Sequence, residues 1–135
     1  MIRLEVVTPE RKVFDEDIDS VEVPGLDGEL GILPGHTELV SMLKPAGLLI
    51  YHKGDHAGKM VISGGYVEVG PKLVTVLADS AVTPEEIDLA QAIAEREHAE
   101  KLLQQAMTDT SQHNLDEALA KLERANLEKQ LAEAK

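Results

Sequence analysis

Thr83-Pro84-Glu85-Glu86-Ile87-Asp88-Leu89-Ala90-Gln91-Ala92 is the stretch at which the chain changes from one physical material to another. All ten glycines stand at or before Gly70, and none follows through Lys135. Glycine supplies the positive backbone angles of tight turns and costs a helix about 1 kcal/mol relative to alanine, so its disappearance marks the passage from turn-rich sheet to helix. Within the quoted stretch Thr83 suits a cap, Pro84 the first helical position, and Glu86 the closing member of a capping box. From there to about Met107 the chain is dominated by Ala, Glu, Leu and Gln. Thr108 to His113 is a polar break, and Asn114 with Glu117 forms a second cap-like pair that opens a helix from Leu115 to about Lys135. So short a connection folds the two helices back as an antiparallel hairpin.

Before the seam, apolar and polar residues alternate. Ile2, Leu4 and Val6 interleave with Arg3 and Glu5, and Ile18, Val21 and Val23 with Asp19, Ser20 and Glu22, the pattern of strands with one dry and one wet face. Leu48 to His52 and Lys59 to Ser63 flank Lys53-Gly54-Asp55, while Tyr66 to Val69 and Lys72 to Leu77 flank Gly70-Pro71, so each pair reads as a hairpin. Many short strands at close spacing predict two packed antiparallel sheets. The expected fold is β + α: an N-terminal antiparallel β-sandwich over residues 1–82, then a C-terminal antiparallel two-helix hairpin over residues 83–135.

Composition excludes several functions. Hydrophobic residues make up 43% of the chain and aromatic residues 2%, which leaves Phe14, Tyr51 and Tyr66 as the rings and makes base stacking on an aromatic platform implausible. A net charge of −12 repels phosphate backbones and anionic lipid, so neither nucleic acid nor a bare bilayer is an expected partner. The absence of cysteine removes disulfides and thiolate chemistry. Charge at Arg3 and Glu5 interrupts any signal-like start, and no apolar run approaches the roughly 18 residues of a membrane span, so a soluble, unexported protein is expected.

The helical stripes are thin. Ile87, Ala90, Ala94, Leu102, Leu103 and Ala106 line the first helix, and Leu115, Ala118, Leu119, Leu122 and Ala125 the second. Alanine buries about half of what leucine does, which leaves the hairpin open to two behaviours: arms that part at modest cost, or a permanently docked cap.

Few residues suggest chemistry. His52 and His56 are four apart, but Gly54 and Gly58 place them in a turn, where a solvated loop outweighs metal binding. Ser63-Gly64-Gly65 lacks the lysine and following helix of a phosphate cradle, and reads as a bend needing small residues. No serine sits in a nucleophile elbow, and no carboxylate pair stands out from the acidic surface. Gly28-Glu29-Leu30-Gly31-Ile32-Leu33-Pro34-Gly35-His36 is more unusual: three glycines and a proline predict a tight loop that holds Glu29 and His36 at the surface.

That loop, with Val6-Val7-Thr8-Pro9, Ser63-Gly64-Gly65 and Val74-Thr75-Val76-Leu77-Ala78-Asp79-Ser80-Ala81, resembles the epsilon subunit of bacterial rotary (F-type) ATP synthase, and the resemblance runs along essentially the whole chain. It implies a non-catalytic central-stalk subunit, peripheral on the cytoplasmic face of the bacterial cell membrane, which couples proton-driven rotation of the c-ring to ATP synthesis. It implies a sandwich bound to the gamma subunit and seated on the c-ring, with Glu29, Leu30, Gly31 and His36 at the interface. It further implies a hairpin that extends into the head to inhibit hydrolysis, where Lys121, Arg124 and Lys129 meet an acidic segment of the beta subunits beside alpha. Some relatives bind regulatory ATP through Ile/Leu-Asp-x-x-Arg-Ala. Ile87, Asp88 and Ala92 match that motif, but Gln91 stands where arginine is expected, so ATP affinity is expected to be weak or absent and no cofactor is assigned. The residues alone also allow a free-standing adaptor that displays a β module and grips a protein with its hairpin.

Overall fold

The computed structural model describes residues 1–35, 38–107 and 112–133. The chain divides into two compact units, Met1–Ala81 and Val82–Lys135. The first holds ten strands: β1 (Ile2–Val7), β2 (Lys12–Ile18), β3 (Ser20–Gly25), β4 (Gly28–Ile32), β5 (Leu39–Met42), β6 (Gly47–Lys53), β7 (His56–Ser63), β8 (Tyr66–Val69), β9 (Leu73–Leu77) and β10 (Ser80–Val82). They form two five-stranded sheets, ordered β2-β1-β9-β8-β5 and β10-β7-β6-β3-β4. Facing side chains of the two sheets supply one aliphatic core, in which Leu4, Val6, Val23, Leu49, Ile62, Val67 and Val76 are inaccessible to solvent.

The sandwich differs from the sequence expectation in one pairing. β1 runs parallel to β9, with Leu4 opposite Val74 and Val6 opposite Val76. A parallel pair needs no hairpin turn between its strands, so nothing local in the sequence announces it. The two expected hairpins are present. Lys53 pairs with His56 across the two-residue turn Gly54-Asp55, in which Gly54 has φ 59°, and Val69 pairs with Val74 across the Gly70-Pro71 turn.

Gly64 and Gly65 lie where the chain leaves β7 in one sheet and enters β8 in the other. Their φ values are +67° and +101°, and a Cβ on Gly65 would overlap the Leu77 carbonyl and Ala78 backbone. The main chain is tied there from both sides: Leu43 N–H donates to the Gly65 carbonyl at 2.9 Å, and Gly64 N–H to the Lys44 carbonyl at 3.0 Å. Ser63-Gly64-Gly65 is thus a crossing bend.

In the second unit, the Glu86 carboxylate accepts from the Thr83 hydroxyl at 2.8 Å and from its N–H at 3.2 Å, as a capping residue would. What it closes is a single 3₁₀ turn, Pro84–Glu86, after which Ile87 is extended at φ −93° and ψ 125°. The α-helix starts later: α1 spans Leu89–Met107 and α2 spans Gln112–Glu133. Asp88 is the functioning cap of α1, its carboxylate accepting from Gln91 N–H at 3.2 Å. The second helix begins before Asn114, and the polar residues 108–111 lie outside the described residues.

The seam between α1 and α2 departs in part from the expected stripe, of which Ile87, Ala106, Ala118 and Ala125 are buried. Ala92, Ala99 and Ala106 are buried on α1, and Ala118, Ala125 and Ala132 on α2, each set spaced by seven, while Ala90, Ala94 and Leu119 are exposed. A strict seven-residue spacing is the antiparallel coiled-coil pattern, and alanine in it allows close approach of the helices. Each buried methyl contributes on the order of 1 kcal/mol, against about 2 kcal/mol for a leucine.

Replacing Gly65 by alanine is expected to lower sandwich stability in urea unfolding by about 2 to 4 kcal/mol, because strain and overlap add. Gly31→Ala, at a site with open space for a Cβ, should stay within about 0.5 kcal/mol of the natural chain.

Candidate functional site

The Gly28-to-Gly35 stretch is an edge strand followed by a turn, where the sequence predicted a loop. Among the described strands β4 pairs with β3 alone, with Gly25 opposite Gly28, Glu29 opposite Pro24 and Leu30 opposite Val23. Glycine is tolerated at an edge, where one side of the strand has no partner, and Gly28 at φ +139° serves the two-residue Leu26-Asp27 turn. Alternation then sorts the side chains. Leu30 and Ile32 point into the core, while Glu29 and Gly31 are exposed on the other face, so the carboxylate stands beside a flat patch of backbone. Leu26 and Leu33 are exposed near it. His36 lies outside the described residues.

A second surface escaped sequence reasoning. On the outer face of the first sheet, the register places Val7 opposite Leu77, Leu77 opposite Tyr66, and Tyr66 opposite Met42. Met42, Tyr66 and Leu77 are 52%, 51% and 47% exposed. An apolar row thus crosses four adjacent strands. Its signal is an apolar residue at an outward position of each strand, which becomes a row only once the register, including the parallel pair, is known.

The histidines do not converge. Lys53 pairs with His56 and His52 with Ala57, which sends His52 and His56 to opposite faces of their sheet. The His56 ring meets Tyr51 edge-on at 6.1 Å, and Tyr51 packs on Phe14 at 4.5 Å.

In the hairpin, Ile87 and Ala92 are buried, and Asp88 is committed to capping α1. Gln91 donates its side-chain amide to Glu95 at 3.2 Å. A cavity of about 170 Å³ beside them is lined by Glu86, Asp88, Glu95 and Glu128, with Arg124 the one cation in its wall among the described residues. A wider cleft of about 510 Å³ adds His98 and Lys121 to Gln91, Glu95 and Arg124. All three predicted contact cations of α2 are engaged one turn away: Lys121 with Glu117 at 3.4 Å, Arg124 with Glu128 at 3.0 Å, and Lys129 with Glu133 at 3.5 Å.

Residues 1–84 match the family described as ATP synthase, Delta/Epsilon chain, beta-sandwich domain. The chain is 44% identical to an ATP synthase epsilon chain of Desulforamulus reducens over 119 residues, covering 88% of this chain and 89% of that one. It belongs to the ATP synthase epsilon-chain family. A second epsilon chain, from Halalkalibacterium halodurans, is 44% identical over 121 residues, covering 90% and 87% of the two chains. Among solved structures, the epsilon-like fold recurs in the Euglena gracilis mitochondrial ATP synthase OSCP/F1/c-ring assembly, with a TM-score of 0.77 and 25% identity over 99% of this chain and 81% of that one. An epsilon chain is a structural and regulatory subunit of ATP synthase, not its catalytic one. No described helix is long and apolar enough to cross a membrane.

The carboxylates around Asp88 and the engaged Gln91 amide predict poor nucleotide affinity. Calorimetric titration of the full chain with ATP should give no micromolar binding, and a saturable isotherm in that range would contradict this.

Proposed function

We propose that the chain is the central-stalk epsilon subunit of a bacterial F-type ATP synthase, with its sandwich fixed to the rotor and its hairpin acting as a brake on ATP hydrolysis. The carrying observation is likeness to epsilon chains along nearly 90% of the chain, sandwich and helices together. In this reading the apolar row Val7-Leu77-Tyr66-Met42 supplies the dry contact with the gamma subunit, since an exposed row of that kind marks a protein interface. Glu29, with Leu30 and Gly31 beside it and His36 beyond, faces the polar loops of the c-ring, where a carboxylate pairs with basic or amide groups. The rigid sandwich carries torque between them, coupling proton flow to ATP synthesis at the cytoplasmic face of the membrane, to which the chain is attached through the complex.

The brake belongs to α2. Exposed i,i+4 ion pairs are worth about 0.3 to 0.5 kcal/mol, so Lys121 and Lys129 exchange their present partners for acidic groups of the alpha and beta subunits at little cost. Arg124 is costlier to move because Glu128 is buried. The adaptor alternative is set aside on the family match.

ATP hydrolysis by the reconstituted catalytic head, compared with the full chain and with a version ending at Val82, tests the brake. The full chain is expected to slow hydrolysis severalfold and the shortened one to leave it fast. Equal rates would remove the brake while sparing the coupling role.

A further inference from the structure

Glu128 is the one charged side chain buried among the described residues, with 6% of its surface exposed. It occupies a seam position: Ala125, Glu128 and Ala132 follow one another at intervals of three and four along α2. Ala92, Glu95 and Ala99 repeat that spacing on α1, and Glu95 shares with Glu128 the wall of the cavity of about 170 Å³. Glu128 is therefore buried where the helices meet, and Glu95, at the matching position of α1, is exposed at the margin of that surface. An ionised carboxylate only accepts, so a hydrogen bond between two of them requires a proton on one.

The surrounding charge does not remove that requirement. Arg124, one turn back on α2, donates to Glu128 at 3.0 Å, and Lys129 on the same helix is turned to Glu133 at 3.5 Å. The wall of the cavity that Glu128 lines also holds Glu95 of α1, Asp88 at its cap, Glu86 of the 3₁₀ turn and the neutral Gln91. Among the described residues of that wall, Arg124 is the one cation beside four carboxylates.

We propose that closing the hairpin takes up one proton, held between Glu95 and Glu128, so that the two arms form a latch that is firm in acid and loosens as the pH rises. The latch is a property of the chain itself and stands whether or not the hairpin acts as a brake. When the arms part, Glu128 becomes hydrated as Glu95 already is, the proton returns to solvent, and Arg124 keeps its charge.

The direction of the pH dependence follows from burial. Desolvation pushes the Glu128 carboxyl above its usual 4.5, Arg124 opposes it, and Glu95 adds to the rise. A carboxyl raised in the closed form contributes its full stabilisation at and below the ordinary value and loses it as pH climbs through the raised value. Exchange of one proton caps the effect at tenfold per pH unit in the ratio of open to closed arms.

The test uses the full, naturally cysteine-free chain carrying spin labels at Glu97→Cys and Glu123→Cys, exposed sites on the two arms. Distances are measured by pulsed electron resonance from pH 4.5 to 8.5. The open-to-closed ratio is expected to rise with pH in the labelled parent, by up to tenfold per unit, and to be flat and closed in Glu128→Gln and in Glu95→Gln. A flat parent profile, or an undiminished slope in both variants, overturns the proposal. Should Glu128→Gln fail to fold, carbon-13 titration of the Glu128 carboxyl in the natural chain decides: a midpoint at or below the ordinary carboxyl value overturns the latch, and a raised one supports it.

Discussion

Alanine at every seventh position sets how tightly α1 and α2 are held, and the smallness of that side chain governs what the hairpin can do. Six seam methyls bring the helices close but remove little apolar area from water. Against this modest gain stands a buried carboxylate whose partners include a second carboxylate and a single guanidinium. A buried charge with one good partner is weak evidence for stability, and its value lies more in specifying or switching a structure. The hairpin therefore has the character of an element near balance, sensitive to contacts that the rest of an ATP synthase would offer.

The sandwich is built to the opposite standard. Its core is drawn from both sheets and is dry, and its crossings are fixed by backbone hydrogen bonds at positions where only glycine fits, as at Gly65. Parallel pairing of β1 with β9 ties the start of the chain to a strand about seventy residues later, so local fraying of either is opposed by the other. The surfaces the sandwich offers, the Glu29 edge and the apolar row of the first sheet, are held in place by that core.

Much of this was legible in the residues, and the exceptions share a cause. The glycine boundary, the Gly54 turn and the exposure of Glu29 follow from local chemistry, which sequence carries directly. The parallel pair and the apolar row depend on register between distant strands, which it does not. The Thr83 box was correctly seen, yet the helix waits for Asp88, because an extended Ile87 intervenes and a second capping residue takes over. The seam of α2 is legible at Ala118 and Ala125, while that of α1 is only partly so, because alanine lies on every side of that helix and Ala90 and Ala94 are exposed where Ala92 and Ala99 are buried. The sevenfold recurrence of Ala92, Ala99 and Ala106, matched by Ala118, Ala125 and Ala132, also contains Glu95 and Glu128 at the intervening positions.

A firm sandwich followed by a weakly held hairpin is the contrast on which the molecule is built. Native-state hydrogen exchange on the full chain compares the two directly, amide by amide. Amides of α1 and α2 are expected to exchange at least about a hundredfold faster at pH 7.5 than those of β1 and β9, a gap of roughly 2.7 kcal/mol in opening free energy. Equal protection across both units would contradict the account.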